Sequence, residues 1–142
     1  MDTREFTQVV QTPVSIEMSR GKFKTRYLPP NPNLRMGWRE RWKWNKEWKA
    51  MVHWAVLPIK QHLKPLPWPG KVTVAFTFMG INTMDDDNAR ASCKAMIDGL
   101  TTAGIITDDS QEYITFEGVQ QRKVNTKKDQ GVTLTLKFHG YE

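Results

Sequence analysis

Lys71-Val72-Thr73-Val74-Ala75-Phe76-Thr77-Phe78-Met79 is followed, after Gly80-Ile81-Asn82-Thr83, by Met84-Asp85-Asp86-Asp87-Asn88. The first run is β-branched and aromatic, the composition of a strand that packs well on a pleated surface. From Asn88 to Ala103 the period changes. Ala89, Cys93, Met96, Ile97 and Leu100 recur at helical spacing, and Gly104 follows as a C′ residue. A strand that feeds a helix through three consecutive carboxylates fixes the centre of the chain as a β–α unit.

Three adjacent carboxylates repel one another unless something positive compensates them: a divalent cation, the helix N-terminus, or a nearby Lys or Arg. In extended chain, Asp85 and Asp87 share one side and Asp86 takes the other. Lys94 follows Asp87 by seven residues, about two helical turns, and so lies on the helix face that begins at Asp87. A second acidic pair, Asp108-Asp109, comes after the helix. Ordinary helix capping is the plainer reading of the first cluster. Capping uses only one of these residues, however, and leaves Lys94 and the second pair without a role. An EF-hand is excluded because its glycine and terminal glutamate are missing at the required spacing.

Outward from this unit, Trp38 to about Leu57 reads as a helix that Pro58 ends. Trp44, Trp48, Met51 and Ala55 form its core stripe. Arg39, Lys43 and Lys46 share another face, with His53 two turns further on, and Trp38 and Trp42 lie off the core stripe. That basic face is either solvated or a phosphate contact. Val14 to Met18 and Lys22 to Leu28 alternate and predict a hairpin turning at Ser19-Arg20-Gly21, after which Pro29-Pro30-Asn31-Pro32-Asn33 makes a stiff loop. Gln61 to Gly70 reads as a connection. Tyr113 to Val119 and Val132 to Phe138 read as strands, joined by a basic loop containing Arg122, Lys123, Lys127 and Lys128. The predicted order is β(β)–α–β–α–β–β: a single α/β (α+β) domain over residues 1–142, with a mixed sheet and two main helices.

The 142 residues suffice for one domain with its own core. Their 39% hydrophobic and 25% charged content is that of a soluble globular chain, with no span or signal peptide evident. One cysteine excludes an internal disulfide and a Cys-rich zinc site, and Cys93 falls on a buried helix face. Residues 1–70 hold 13 Lys and Arg against 5 Asp and Glu, net +8, whereas residues 71–142 hold 8 against 10, net −2. A basic half beside an acidic half suits a polyanion-binding surface next to a cation-binding one. Arg35, Arg39, Lys43, Lys46 and Lys123 are the candidate DNA contacts.

Separated carboxylates with one Lys suit metal-assisted phosphodiester hydrolysis: oxygen ligands for Mg²⁺ and a point charge for phosphate. The set Asp85-Asp86-Asp87-Asn88, Lys94, Asp98-Gly99-Leu100, Ala103-Gly104-Ile105-Ile106 and Asp108-Asp109-Ser110 resembles the RusA family of Holliday-junction resolvases, common in phages and prophages. The resemblance covers 26 residues, Asp85 to Ser110, and not the first 70. Some family members place the Lys four residues after the second Asp, where Lys94 stands seven after. Both spacings return to one helix face. The large apolar residue often found after Asn is Ala89 here.

The resemblance implies a homodimeric, Mg²⁺-dependent endonuclease, with Mn²⁺ as substitute, that nicks branched DNA symmetrically in the cytoplasm of a bacterium or phage-infected host. By motif position it implies that Asp85, Asp87 and Asp109 bind metal and that Lys94 is the catalytic cation. Asp86 and Asp108 are supporting, and Asp98 is structural. Two opposed cuts need two identical sites, hence two copies. The last strand or exposed tryptophans are the candidate pairing surfaces. The alternatives are a non-catalytic DNA-binding protein and a nuclease acting on flaps, forks or single strands.

Overall fold

A computed structural model describes residues 4–10, 16–17, 23–24, 28–29, 32, 35 and 37–140. The strands are β1 (Arg4–Val10), β2 (Ile16–Glu17), β3 (Phe23–Lys24), β4 (Val72–Gly80), β5 (Ile114–Lys123) and β6 (Gly131–Phe138). The helices are α1 (Trp38–His62), α2 (Asp86–Ser92) and α3 (Lys94–Thr102). The order of the four-stranded sheet is β1-β6-β4-β5, with β4 and β5 parallel and the other pairs antiparallel. This is the mixed α+β sheet that the alternation of elements predicts.

β4 and β6 each bury one side. Val72, Val74, Phe76 and Phe78 join Val132, Leu134, Leu136 and Phe138 beneath the helices. The other side carries Thr73, Ala75, Thr77, Thr133, Thr135 and Lys137, all only partly buried. Such alternation is how a sheet with one packed face reads. From α1 the core receives Trp44, Trp48, Val52, Val56 and Ile59, and from the second helical segment Ala89, Cys93, Met96 and Leu100. Met51, Ala55 and Ile97 pack at its border.

The two helical segments approach closely at Gly99. A Cβ there would lie 2.9 Å from the Lys49 carbonyl oxygen and 3.1 Å from Val52 Cβ. The Asp-Gly-Leu element is therefore structural through its glycine, which admits α1, and through Leu100, which is buried. Gly104 takes a φ of +78° as the C′ residue that the pattern predicts.

Several expectations need correction. Pro58 does not end α1, which runs on to His62. An interior Pro costs about 3 kcal/mol. Continuing the helix buries Ile59 and the capping Leu63, each worth roughly 1.5–3 kcal/mol. The helix expected over residues 88–103 starts earlier, at Asp86, and is divided at Cys93, whose N–H bonds the Arg90 carbonyl at 3.2 Å. Only Asp85 is extended, while Asp86 and Asp87 form the first turn of α2, so the three do not alternate as in a strand. The sequence reading has no strand at β1, which pairs with β6 along its whole length. β6 is thereby interior to the sheet, and the last strand is not a pairing edge.

β5 extends to Lys123, so Arg122 and Lys123 belong to the strand and not to the loop. Trp68 is part of the core rather than of a bare connection. Its Nε1–H donates to the His139 carbonyl at 2.8 Å, and its ring meets Phe138 edge-on at 5.6 Å. Within the expected hairpin, β2 and β3 pair antiparallel. The turn Ser19-Arg20-Gly21 lies outside the described residues, as do Pro30, Asn31 and Asn33 of the proline loop.

Candidate active site

α2 runs beside β5, and three successive side chains of the α2–α3 segment, one turn apart, reach first that strand and then the loop that precedes it. Near the start of α2, Asp86 Oδ1 accepts from Gln121 Nε2 at 3.3 Å. One turn on, the Arg90 guanidinium sits 4.6 Å from the centre of the Phe116 ring. At the start of α3, Lys94 Nζ stands 3.9 Å from Asp109 Oδ2 and 3.9 Å from Asp98 Oδ1.

A bulge in β5 makes the first of these contacts. Opposite Val74 and Ala75 the register skips from Phe116 to Gly118, leaving Glu117 as an extra residue. Because side chains alternate, one extra residue reverses the facing of everything after it. Gln121 therefore joins Phe116 and Val119 on the helix-bearing side. There its Oε1 accepts from the Met84 N–H at 2.9 Å and its Nε2 donates to the Met84 carbonyl at 2.8 Å. Gln130 Oε1 similarly accepts from the Ile81 N–H at 3.1 Å. Gly118, at a φ of +131°, supplies the conformation that the bulge needs. The loop carrying Asp85 is thus fixed at both ends by glutamines from the two neighbours of β4, Gln121 of β5 and Gln130 just before β6.

Asp85 occupies the N-cap of α2, but its side chain makes no capping hydrogen bond. Asp85, Asp86 and Asp87 are all exposed. On the other loop, the Ser110 hydroxyl and the Ser110 backbone N–H hold the Asp108 carboxyl below the usual carboxylate range. The N–H bond, to Oδ1, is 2.7 Å long. This Asx-type turn shapes the loop that carries Asp109. The Cys93 thiol, buried and donating to the Ala89 carbonyl at 3.3 Å, is pushed up from 9.0 to about 12 by burial, with Arg90 opposing. It stays a neutral packing group at physiological pH.

The predicted residues thus fall into two groups. Lys94 and Asp109 meet, although fifteen residues separate them. Asp85 and Asp87 stand at the start of α2, and Lys94 follows beyond its end, as the first residue of α3. Among the described residues, no three acidic, His or Cys side chains are grouped so as to hold a metal ion. The donor chemistry nevertheless suits a hard cation, since every carboxylate is exposed oxygen and Asp85 is not engaged in capping. Mg²⁺ commonly binds through one or two carboxylates, completed by water and substrate phosphate.

The candidate DNA contacts Arg35, Arg39, Lys43 and Lys46 are exposed on or just before α1, and Lys123 is exposed at the end of β5. Arg90 and Gln121 are not among the residues that the sequence singles out. Their signal exists only across elements, in the α2–β5 packing and the bulge. No helix is long and apolar enough to cross a membrane among the described residues. No protein-family model matches the chain, and no curated protein matches it in sequence.

Proposed function

We infer that the chain is a metal-dependent, structure-selective DNA endonuclease of the RusA type, which resolves four-way junctions as a homodimer in the cytoplasm of a bacterium or phage-infected host. The observation that carries this reading is the meeting of Lys94 and Asp109 beside a helix whose first turn is acidic. An exposed pair at 3.9 Å adds little stability, about 0–1 kcal/mol at most. The side chains are 74% and 52% exposed, so solvent and substrate reach both.

Asp85 and Asp87 would hold Mg²⁺ or Mn²⁺ at the start of α2, and Asp109 would join them only by the two groups closing on the ion, because the structure does not bring all three carboxylates together. Held there, the ion would lower the pKa of a bound water and neutralise charge on the phosphate. Lys94 would offer a positive charge to the scissile phosphate or the leaving oxygen. Gln121 and Gln130 keep the loop bearing Asp85 in place, so that phosphate enters a preformed arrangement. The absence of a side-chain cap at Asp85 disfavours a purely capping role for the cluster.

Labelled four-way junction DNA, incubated with the protein in Mg²⁺ and in EDTA, tests the reading. Paired nicks on opposed strands in Mg²⁺ and none in EDTA are expected, from a species of about twice the 16.5 kDa chain mass by light scattering. Faster cleavage of flaps, forks or single strands would transfer the reading to a related nuclease. No cleavage of any branched substrate would refute it.

A further inference from the structure

Beside the candidate active site, α1 and the α2–α3 segment enclose an open cavity of about 600 Å³. Its walls carry Arg41, Trp42, Lys46 and Lys49 from α1, and Lys94 and Asp98 from α3. Four cations face one carboxylate, and that carboxylate is already paired with Lys94. The volume lies in the range of sites that hold small organic ligands, roughly 300–1,000 Å³. Trp42 is 59% exposed in spite of its size, and Lys46 Nζ rests 5.1 Å from the centre of its ring. One turn back, Trp38 is exposed too, with the Arg39 guanidinium 5.2 Å from its ring.

We propose that this groove binds an unpaired stretch of DNA, with a base stacked on Trp42 and the adjoining phosphates on Lys46, Lys49 and Arg41. A basic groove lined by an aromatic platform is the recognition chemistry of single strands, since every base has a π-face and every nucleotide a phosphate. Duplex DNA offers the same phosphates with its bases already stacked inside, so it gives Trp42 no partner. A purely anionic surface, such as an acidic peptide, would use the lysines and leave the ring idle. Lys94 belongs both to this groove and to the pair with Asp109, so a strand lying in the groove has its backbone beside the candidate active site. That last step rests on the nuclease reading; binding in the groove does not.

Fluorescence anisotropy of a labelled oligothymidine, measured with the full chain in EDTA so that no cleavage intervenes, tests the inference. Trp42→Ala is expected to weaken binding roughly tenfold, consistent with the loss of one base stack. Trp42→Phe is expected to recover most of that affinity. Trp54→Ala, on a residue 62% exposed but outside the groove, serves as a control and leaves affinity unchanged. A blunt duplex of equal length is expected to respond little to Trp42→Ala. The melting temperature is expected to stay at the wild-type value, because Trp42 is not in the core.

Unchanged oligothymidine affinity in Trp42→Ala, or an equal loss for strand and duplex, would overturn the proposal. If Trp42→Ala selectively weakens single-strand binding while the wild type cleaves no branched DNA, the groove stands and the nuclease reading fails.

Discussion

Trp38 and Trp42 stand four residues apart on α1, and so do Trp44 and Trp48, yet the first pair is exposed and the second fully buried. Residue type and spacing are identical. Phase is the only difference, because a step from Trp42 to Trp44 turns about 200° around the helix. The inner pair lies in line with Val52, Val56 and Ile59 and packs into the core. Each ring of the outer pair keeps a cation against it, Arg39 at Trp38 and Lys46 at Trp42. One helix thus supplies stability from one face and a cationic, aromatic surface from the other, and the two roles can be separated by mutation.

The sharpest separation is in stability. Trp48→Ala removes a fully buried indole and is expected to cost about 3–5 kcal/mol in denaturant unfolding. Trp42→Ala is expected to stay within about 0.5 kcal/mol of the wild type. A comparable loss in both would show that the outer pair is structural after all. Gly99→Ala probes the seam between the faces, since its Cβ would collide with the Lys49 backbone. Overpacking of this kind costs about 1–3 kcal/mol, a drop of a few degrees in Tm. A neutral result would mean that α1 and α3 can separate without penalty.

The smallest expected effect concerns the outer face. Arg39→Ala combined with Lys43→Ala is expected to weaken duplex binding and to lower the salt slope of log K by about 0.9 for each phosphate that the variant no longer neutralises. Wild-type affinity and slope in this variant would mark that part of α1 as simply solvated.

Legibility from sequence follows the same division between local and distant causes. The alternation of Val72, Val74, Phe76 and Phe78, and the spacing of Ala89, Cys93, Met96 and Leu100, are readable because each element buries one face of its own. The continuation of α1 past Pro58 is not, because the compensating burial of Ile59 and Leu63 depends on what they meet. Among the described residues β1 pairs with no strand but β6, and Arg4, Glu5 and Gln8 weaken its apolar alternation. At the candidate site, Lys94 and Asp109 stand out in the sequence and do meet. Asp85 and Asp87, however, stand at the start of α2, and the break at Cys93 separates them from Lys94 at the start of α3. Arg90 and Gln121 are invisible in the sequence because a bulge at Gly118, not any local pattern, turns Gln121 toward Met84.

The central claim is that Lys94 and Asp109 form a working pair for phosphodiester hydrolysis rather than a surface ion pair. Asp109→Asn tests it most directly, with junction binding measured in EDTA and junction cleavage measured in Mg²⁺ on the same preparation. Cleavage is expected to fall by about a hundredfold, because the variant loses a carboxylate proposed to hold the metal that would neutralise charge developing on the phosphate. Affinity in EDTA is expected to hold or rise, because a negative charge near phosphate is gone. Cleavage at the wild-type rate by Asp109→Asn would contradict the account.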